Sequence, residues 1–317
     1  MLSYKKTKKN PKRFLALTGV TVEEFEELLG AFQAAWEEYI QREHIDGKER
    51  QRAYGGGRKP RLKALAEKLF FILYYYKTYP IQEALAASFG MSQSQANEWL
   101  HRLSGVLKQA LRRLGVLPER VPEHLRVLLA DEAVVDEAVV VEVVVDGVER
   151  RRQRPADQAA QQEYYSGKKK AHTVKNILIV GREDREVKYL GQTHVGKKHD
   201  KKIADEEKPT FPEGTVVYQD LGFQGYAPAG VEVRQPKKKP RGGELTVAEK
   251  ALNRALASLR VVVEHVISGV KRCRIVKDVL RNWLAGFADL VMEIACGLHT
   301  FRTRRRAQRT TQPAASS

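Results

Sequence analysis

Cysteine is nearly absent from this chain. There are two in 317 residues, Cys273 and Cys296, with no CxxC pair and no Cys/His spacing of a zinc site. That excludes a disulfide framework and a thiolate-bound metal, and it suits a reducing cytosol. Long apolar runs are absent too. No stretch of about 18 apolar residues occurs, so no membrane span is expected. The N-terminus, MLSYKKTKKNPKRF, is basic but leads into no apolar segment, which argues against a secretory signal. The three glycines at 55–57 follow no strand pattern and precede no Gly-Lys-Ser or Gly-Lys-Thr, so they form no phosphate-binding loop. Negative charge is in deficit: 39 acidic residues face 56 Lys and Arg, a net charge of +17. Such an excess selects a polyanion, with nucleic acid ahead of an acidic membrane surface. Composition alone also fits a ribosome-associated protein. In the cytoplasm, DNA is the available polyanion.

What is present falls into two textures. Residues 1–13 read as a basic arm. Thr21 and Glu24 form a capping-box pattern ahead of Phe25, Leu28, Leu29, Phe32 and Trp36 at helical spacing. Residues 46–61, rich in charge and glycine, read as a linker. An apolar helix from Leu62 to about Tyr76 ends before Pro80. The segment IQEALAASFG-MS-QSQANEWLHRL then reads as helix, turn at Gly90, Ser92 as N-cap and second helix, placing a helix-turn-helix at about 80–103. Ala84, Leu85, Phe89, Ala96, Trp99 and Leu100 would face inward. Gln93, Ser94, Gln95 and Asn97 would stand at the exposed start of the second helix, where amides and hydroxyls can read base edges in a major groove. A plain helical hairpin is the alternative.

After Pro122 the chain turns Val-rich. Strands are expected from about Ala138 to Asp146 and over 171–181, 187–195, 214–222 and 231–236, with a short helix at 199–207. A long helix capped by Thr246 and a final helix over about 278–301 follow. On the long helix, Arg260, Glu264 and Lys271 lie four and seven residues apart, within a sector of roughly 40°. They run beside an apolar stripe of Leu252, Leu256, Leu259, Val263, Val266 and Val270. Taken alone, that row is more often a surface ion-pair ladder. Its context is different. Asp146 and Asp220 each stand where an apolar run meets a glycine-containing turn. With Glu264 they make three carboxylates, a hard-oxygen set for two Mg²⁺ ions, with Mn²⁺ as a substitute. Two such ions serve both oxygens of an in-line phosphoryl displacement. Each aspartate alone is as well read as a turn residue. Asp131 and Asp136 are rivals of Asp146. His199 and Asp200 read as groups behind a metal ligand or at DNA, or else as a solvated His beside a helix-starting Asp. Tyr164, Tyr165, Lys168, Lys169 and Lys170 mix aromatic and basic groups suited to stacking an unpaired base and holding phosphate; a solvated charge run is the alternative.

These blocks resemble a known family. DGVERRRQRP with YYSGKKKAHTVKN, then THVGKKHDKKIADE, then YQDLGFQGY, then RVVVEHVISGVKRCRIV are similar, in order, to the conserved blocks of bacterial insertion-sequence transposases of the DDE type. The similarity is greatest to insertion-sequence family five and spans nearly the whole chain. Arg260-x3-Glu264-x6-Lys271 keeps the spacing of the signature shared with insertion-sequence family four. Ala257 stands where that signature has Tyr, and Val148 where the first block usually has Thr. The resemblance implies an α/β fold with a ribonuclease H-like mixed sheet flanked by helices, behind an N-terminal all-α helix-turn-helix region. It implies domains at 1–120 and 121–303 and a basic disordered tail at 304–317. It further implies an enzyme that cuts transposon ends and joins them to target DNA, with Asp146, Asp220 and Glu264 catalytic, Arg260 and Lys271 on DNA, and a homodimer in the DNA complex. No membrane partner is implied. The setting would be the bacterial cytoplasm, on the nucleoid when bound. A catalytically inactive or domesticated DNA-binding regulator and a nuclease without strand transfer remain open.

Overall fold

The computed structural model describes residues 1–42, 44–45, 48–49, 60–135 and 140–311. The chain divides into two compact units. One comprises Met1–Leu117, Arg272–Val276 and Leu290–Ser317; the other comprises Pro118–Lys271 and Lys277–Asp289.

The first unit is helical: α1 (Tyr4–Lys8), α2 (Pro11–Thr18), α3 (Val22–Gln41), α4 (Leu65–Thr78), α5 (Gln82–Phe89) and α6 (Gln93–Arg113). A two-residue antiparallel ribbon, β1 (His44–Ile45) with β2 (Lys48–Glu49), follows α3. The linker glycines 55–57 lie outside the described residues. Local signals set the helix ends. Glu24 Oε2 accepts the Thr21 N–H at 2.8 Å while Thr21 Oγ1 accepts the Glu24 N–H at 3.2 Å, closing the capping box of α3. Gly90 takes φ 67°, ending α5 in the left-handed region that glycine tolerates. A second capping box, Ser92 with Gln95, opens α6. Phe14, Phe25, Phe70, Phe71, Phe89, Leu100 and Leu103 form the buried interior. Ala84, expected to face inward, is exposed, and Ala86 is buried instead. On a helix of only eight residues, small alanines at neighbouring positions do not fix the face.

The sequence expectation put the last helix in the strand-bearing half and a disordered tail after residue 303. The structure differs. The C-terminal helix, Phe287–Thr311, packs from Leu290 onward with the N-terminal helices. Val291, Met292, Ile294, Leu298 and Phe301 are buried there, and Lys108 Nζ meets Glu293 Oε2 at 2.7 Å. The basic stretch beyond is helical to Thr311: Arg305 pairs with Glu27 of α3, and Arg309 lies 3.6 Å from Glu23. Acidic partners on α3, invisible to a local reading of RTRRRAQR, order what looked like a tail. An apolar stripe says that a helix packs, not against which core.

The second unit is mixed α/β. It opens with α7 (His124–Val135), a helix in a Val-rich stretch that gave no helix signal. Its sheet runs β4 (Tyr165–Ser166), β5 (Ala171–Gly181), β3 (Glu142–Arg151), β8 (Val216–Gln219), β9 (Glu232–Arg234), with β6 (Val187–Leu190) and β7 (His194–Val195) also pairing β5. The central strand β3 is antiparallel to β5 and parallel to β8, and β9 is parallel to β8. Helix α8 (Gln158–Tyr164) precedes β4, and α9 (Asp200–Glu207) lies between β7 and β8. One face of the sheet carries Val143, Val145, Ile177, Ile179 and Val217, packed with Leu125 and Leu129 of α7 and Ile203 and Ala204 of α9. The long helix α10 (Val247–Val270) packs against β3 and β8. It buries Leu256, Val263, Val266 and Val270, whereas Leu252 of the expected stripe is 59% exposed. Among the described residues no helix is long and apolar enough to cross a membrane.

Candidate active site

The site starts from strand register. In the parallel β3–β8 pair, Val144 faces Tyr218 and Val145 faces Gln219. One residue beyond the last pair of that register stand Asp146 and Asp220, close enough that Asp220 raises the Asp146 carboxyl. Asp146 therefore sits within β3 rather than at its end. The strand continues to Arg151 because Gly147 through Arg151 keep pairing with Ile177 through Thr173 of β5. Asp220 sits where β8 stops and caps a single 3-10 turn, Leu221–Phe223; its Oδ1 accepts the Leu221 N–H at 2.6 Å. Asp146 Oδ1 accepts the Gly147 N–H at 2.8 Å.

Helix α10 brings cations to this pair. Arg260 Nη1 lies 3.5 Å from Asp220 Oδ1, and the arginine side chain is only 15% exposed. Its Nε is buried with no hydrogen-bond partner among the described residues. Lys271 caps the far end of α10. Burial and the neighbouring Lys169 hold its ammonium below the usual range, and Asp146 opposes them. Asp146 itself is pushed up to about 6. Burial is the main cause, Asp220 and Asp200 add to it, and the Gly147 N–H and Arg260 pull the other way. A buried carboxylate beside two others is a strong place for a cation, since the cation removes the repulsion that raises it.

The remaining residues fall as follows. Asp200, first in α9, lies against Gly147 and pairs with Lys175 Nζ at 3.2 Å. His199 is exposed at the N-cap and makes no capping bond. Glu264 is exposed on α10; the ridge bears it between Arg260 and Lys271, both of which act on the site. Asp131 is exposed on α7, and Asp136 lies outside the described residues. Lys168, Lys169 and Lys170 are exposed on the turn between β4 and β5. Tyr165 is 45% exposed, lies edge-on to His172, and lines an open concavity of about 620 Å³ with Arg154, Gln158, Gln161 and Lys197. Tyr164 belongs to a cluster that the sequence reading missed: the Arg152 guanidinium lies 3.6 Å from the centre of the Trp283 ring and 4.4 Å from that of Tyr164. Trp283, 45% exposed in a polar turn, was the available signal. In the first unit Gln93, Ser94 and Gln95 are exposed at the start of α6 and Asn97 is half-buried. The Gln95 side chain is engaged, since its Oε1 accepts the Ser92 N–H at 3.2 Å.

The donor set fits a hard divalent ion in kind: carboxylate oxygens, one of them held unfavourably charged in the absence of a cation. Among the described residues no three acidic, His or Cys side chains stand together so that they could hold a metal ion.

Parallel strands bearing Asp146 and Asp220, a helix crossing them with Arg260 and Lys271, and a separate helix-turn-helix together define a class. The chain belongs to the DDE superfamily endonucleases: residues 145–300 match the model of that description, and residues 60–113 match the model described as the helix-turn-helix of DDE superfamily endonuclease. Within that class it is similar to an insertion-sequence transposase. It is 26% identical over 263 residues, 83% of this chain and 88% of the relative, to the probable transposase for insertion sequence element IS702 of Microchaete diplosiphon. Among solved structures, the cryo-EM structure of piggyBac transposase synaptic complex with hairpin DNA aligns at a TM-score of 0.44 and 9% identity, over 96% of this chain and 76% of that one.

Proposed function

We propose that the chain binds the terminal inverted repeats of its element and cuts and rejoins DNA there through a ribonuclease H-like catalytic unit. The adjacency of Asp146 and Asp220, with Arg260 at 3.5 Å from the second, is the observation that carries this reading. In this proposal Asp146, Asp220 and Glu264 hold two Mg²⁺ ions, for which Mn²⁺ substitutes. When bound, the ions supply the charge that makes water a nucleophile at neutral pH and steadies the departing oxygen.

The residues themselves have distinct tasks. Asp146 must be ionised to serve, so its raised pKa makes the proton a competitor of the metal below about pH 6. Arg260, whose Nε lacks a partner, and Lys271 offer cations to the phosphates flanking the scissile bond. Glu264 is assigned to the site because it shares a helix ridge with both. The water oxygen attacks phosphorus, the bond from phosphorus to the 3′-oxygen of the element end breaks, and that oxygen leaves as a 3′-hydroxyl while the flank keeps a 5′-phosphate. The freed 3′-hydroxyl then attacks a target phosphodiester and displaces the target's own 3′-oxygen, with no covalent enzyme intermediate.

Gln93, Ser94, Gln95 and Asn97 are assigned to the DNA-reading end of α6, with Gln95 also holding its cap. Tyr165 and Lys168 to Lys170 are assigned to an unpaired base and its phosphates, and His199 and Asp200 to support of the metal site. The domains of this proposal keep a DNA-binding region at 1–120 and a catalytic region that starts at 121 and ends before the C-terminal helix joins the first unit at Leu290. Two ends must be processed together, which calls for a homodimer on DNA. The working place is the bacterial nucleoid.

The exposure of Glu264 favours a second reading, a DNA-binding derivative without catalysis. The two separate on a labelled duplex bearing the element end. The proposal expects nicking in Mg²⁺ that EDTA stops and that Glu264→Gln abolishes while leaving DNA binding intact. Specific binding with no nicking in either protein would favour the derivative, and cutting by Glu264→Gln at the normal rate would remove Glu264 from the site.

A further inference from the structure

The segment PKKKPRGG, residues 236–243, joins β9 to α10 and has no part in the chemistry proposed above. A charge run of this kind is ordinarily a solvated loop. This one is tied down at three points. Its approach is fixed by Gln235, whose Nε2 donates to the backbone carbonyl of Asp220 at 2.6 Å. One side chain of α10 then clasps the backbone of Lys237. The Lys237 N–H donates to Asn253 Oδ1 at 2.8 Å, and Asn253 Nδ2 donates to the Lys237 carbonyl at 3.0 Å. Its end is a turn. The Gly243 N–H donates to the Pro240 carbonyl at 3.3 Å, and Gly242 takes φ 79°, the left-handed region that glycine supplies at the third position of a turn. Arg241 is left at the tip.

From Lys237 to Arg254, six cations face two carboxylates. Both carboxylates are engaged where the strap meets the helix. Glu249 closes the Thr246 capping box and pairs with Lys237, and Glu244 lies 3.7 Å from Lys239 Nζ and 3.1 Å from Lys250 Nζ. Lys238 and Arg241 are exposed, with no ion-pair partner among the described residues. An exposed pair such as Lys239 with Glu244 is weak enough to yield to a phosphate. We propose that this strap is a DNA-backbone site beside Asp220. Lys238, Lys239 and Arg241 take phosphates of the duplex flanking the cut, and Gln235 and Asn253 hold the strap in place for it. The inference rests on the function proposed above and adds a contact surface to it. Cations on a fixed backbone suit repeated phosphate charge and set the register of a duplex without reading its bases.

The test is fluorescence anisotropy of the full chain in EDTA, on a labelled element-end duplex and on a random duplex, across a salt titration, with melting recorded for every protein. The triple variant Lys238→Gln, Lys239→Gln, Arg241→Gln should weaken binding to both duplexes about tenfold or more, and should reduce the slope of log K against log salt by about two to three. Asn253→Ala removes no charge. It should weaken both duplexes severalfold with the slope kept, because the strap must then be ordered on binding. If Asn253→Ala fails to fold, the triple variant decides alone. A triple variant within about twofold of wild type on both duplexes, or weakened on the element end alone, would overturn the inference and leave the function reading intact. Folded Asn253→Ala at wild-type affinity would overturn the pinned site. A wild-type chain that binds neither duplex would overturn both readings.

Discussion

Asp146→Asn should make the metal-free protein more stable, and the gain should depend on pH in a defined way. The native carboxyl of Asp146 is pushed from its ordinary 3.8 up to about 6, chiefly by burial. Each unit is 1.36 kcal/mol, so ionising it in the fold costs at most about 3 kcal/mol, and about 1–2 after relaxation of the surroundings and the denatured state. The native state binds this proton more tightly than the unfolded chain does. The contribution to stability is therefore full below about pH 4, falls as pH rises through the window from 3.8 to 6, and is lost above it. Asparagine has no such cost and keeps the shape. The denaturant midpoint in EDTA should therefore be higher for the variant at pH 7.5, and the two proteins should converge below about pH 4. Adding Mg²⁺ should reverse the order by stabilising only the wild type. A variant less stable than wild type at pH 7.5, or an offset equal at both pH values, would refute the placement of Asp146 in a buried, like-charged pocket.

Other outcomes follow from the same structure. Mg²⁺ affinity should fall as pH drops through about 6 and recover fully on return, measured by titrating the metal-free protein from pH 5 to 8. Replacing Lys168, Lys169 and Lys170 with Gln should flatten the salt dependence of DNA binding by up to about three phosphate contacts' worth, read as the slope of log K against log salt. Phe70→Ala, which empties a fully buried site in the helical unit, should cost about 3–5 kcal/mol in denaturant unfolding.

Local chemistry made much of the fold legible. The strand at 171–181 and the capping boxes at Thr21 and Ser92 are where side-chain type and spacing place them. Other features depended on partners remote in sequence. β3 outran its expected end because VERR pairs with β5, and α7 is a helix although its valines favour strands. The C-terminal arginines are ordered by glutamates of α3 nearly three hundred residues away. At the site, the motif order named Asp146 and Asp220, but only the parallel register explains why they are neighbours. Asp200 read as a helix-starting acid; its meeting with Gly147 needed the packing of α9 on the sheet. Trp283 was passed over because one aromatic in a polar turn has no periodicity to reveal the Arg152 that stacks on it.

The central claim is that the adjacent strand aspartates form a phosphoryl-transfer centre. Single-turnover nicking of an element-end duplex by Asp220→Asn, across a Mg²⁺ titration and with DNA binding measured in parallel, tests it most directly. The account predicts unchanged binding and a rate reduced to the uncatalysed background at every Mg²⁺ concentration. Nicking by Asp220→Asn at the wild-type rate would contradict it.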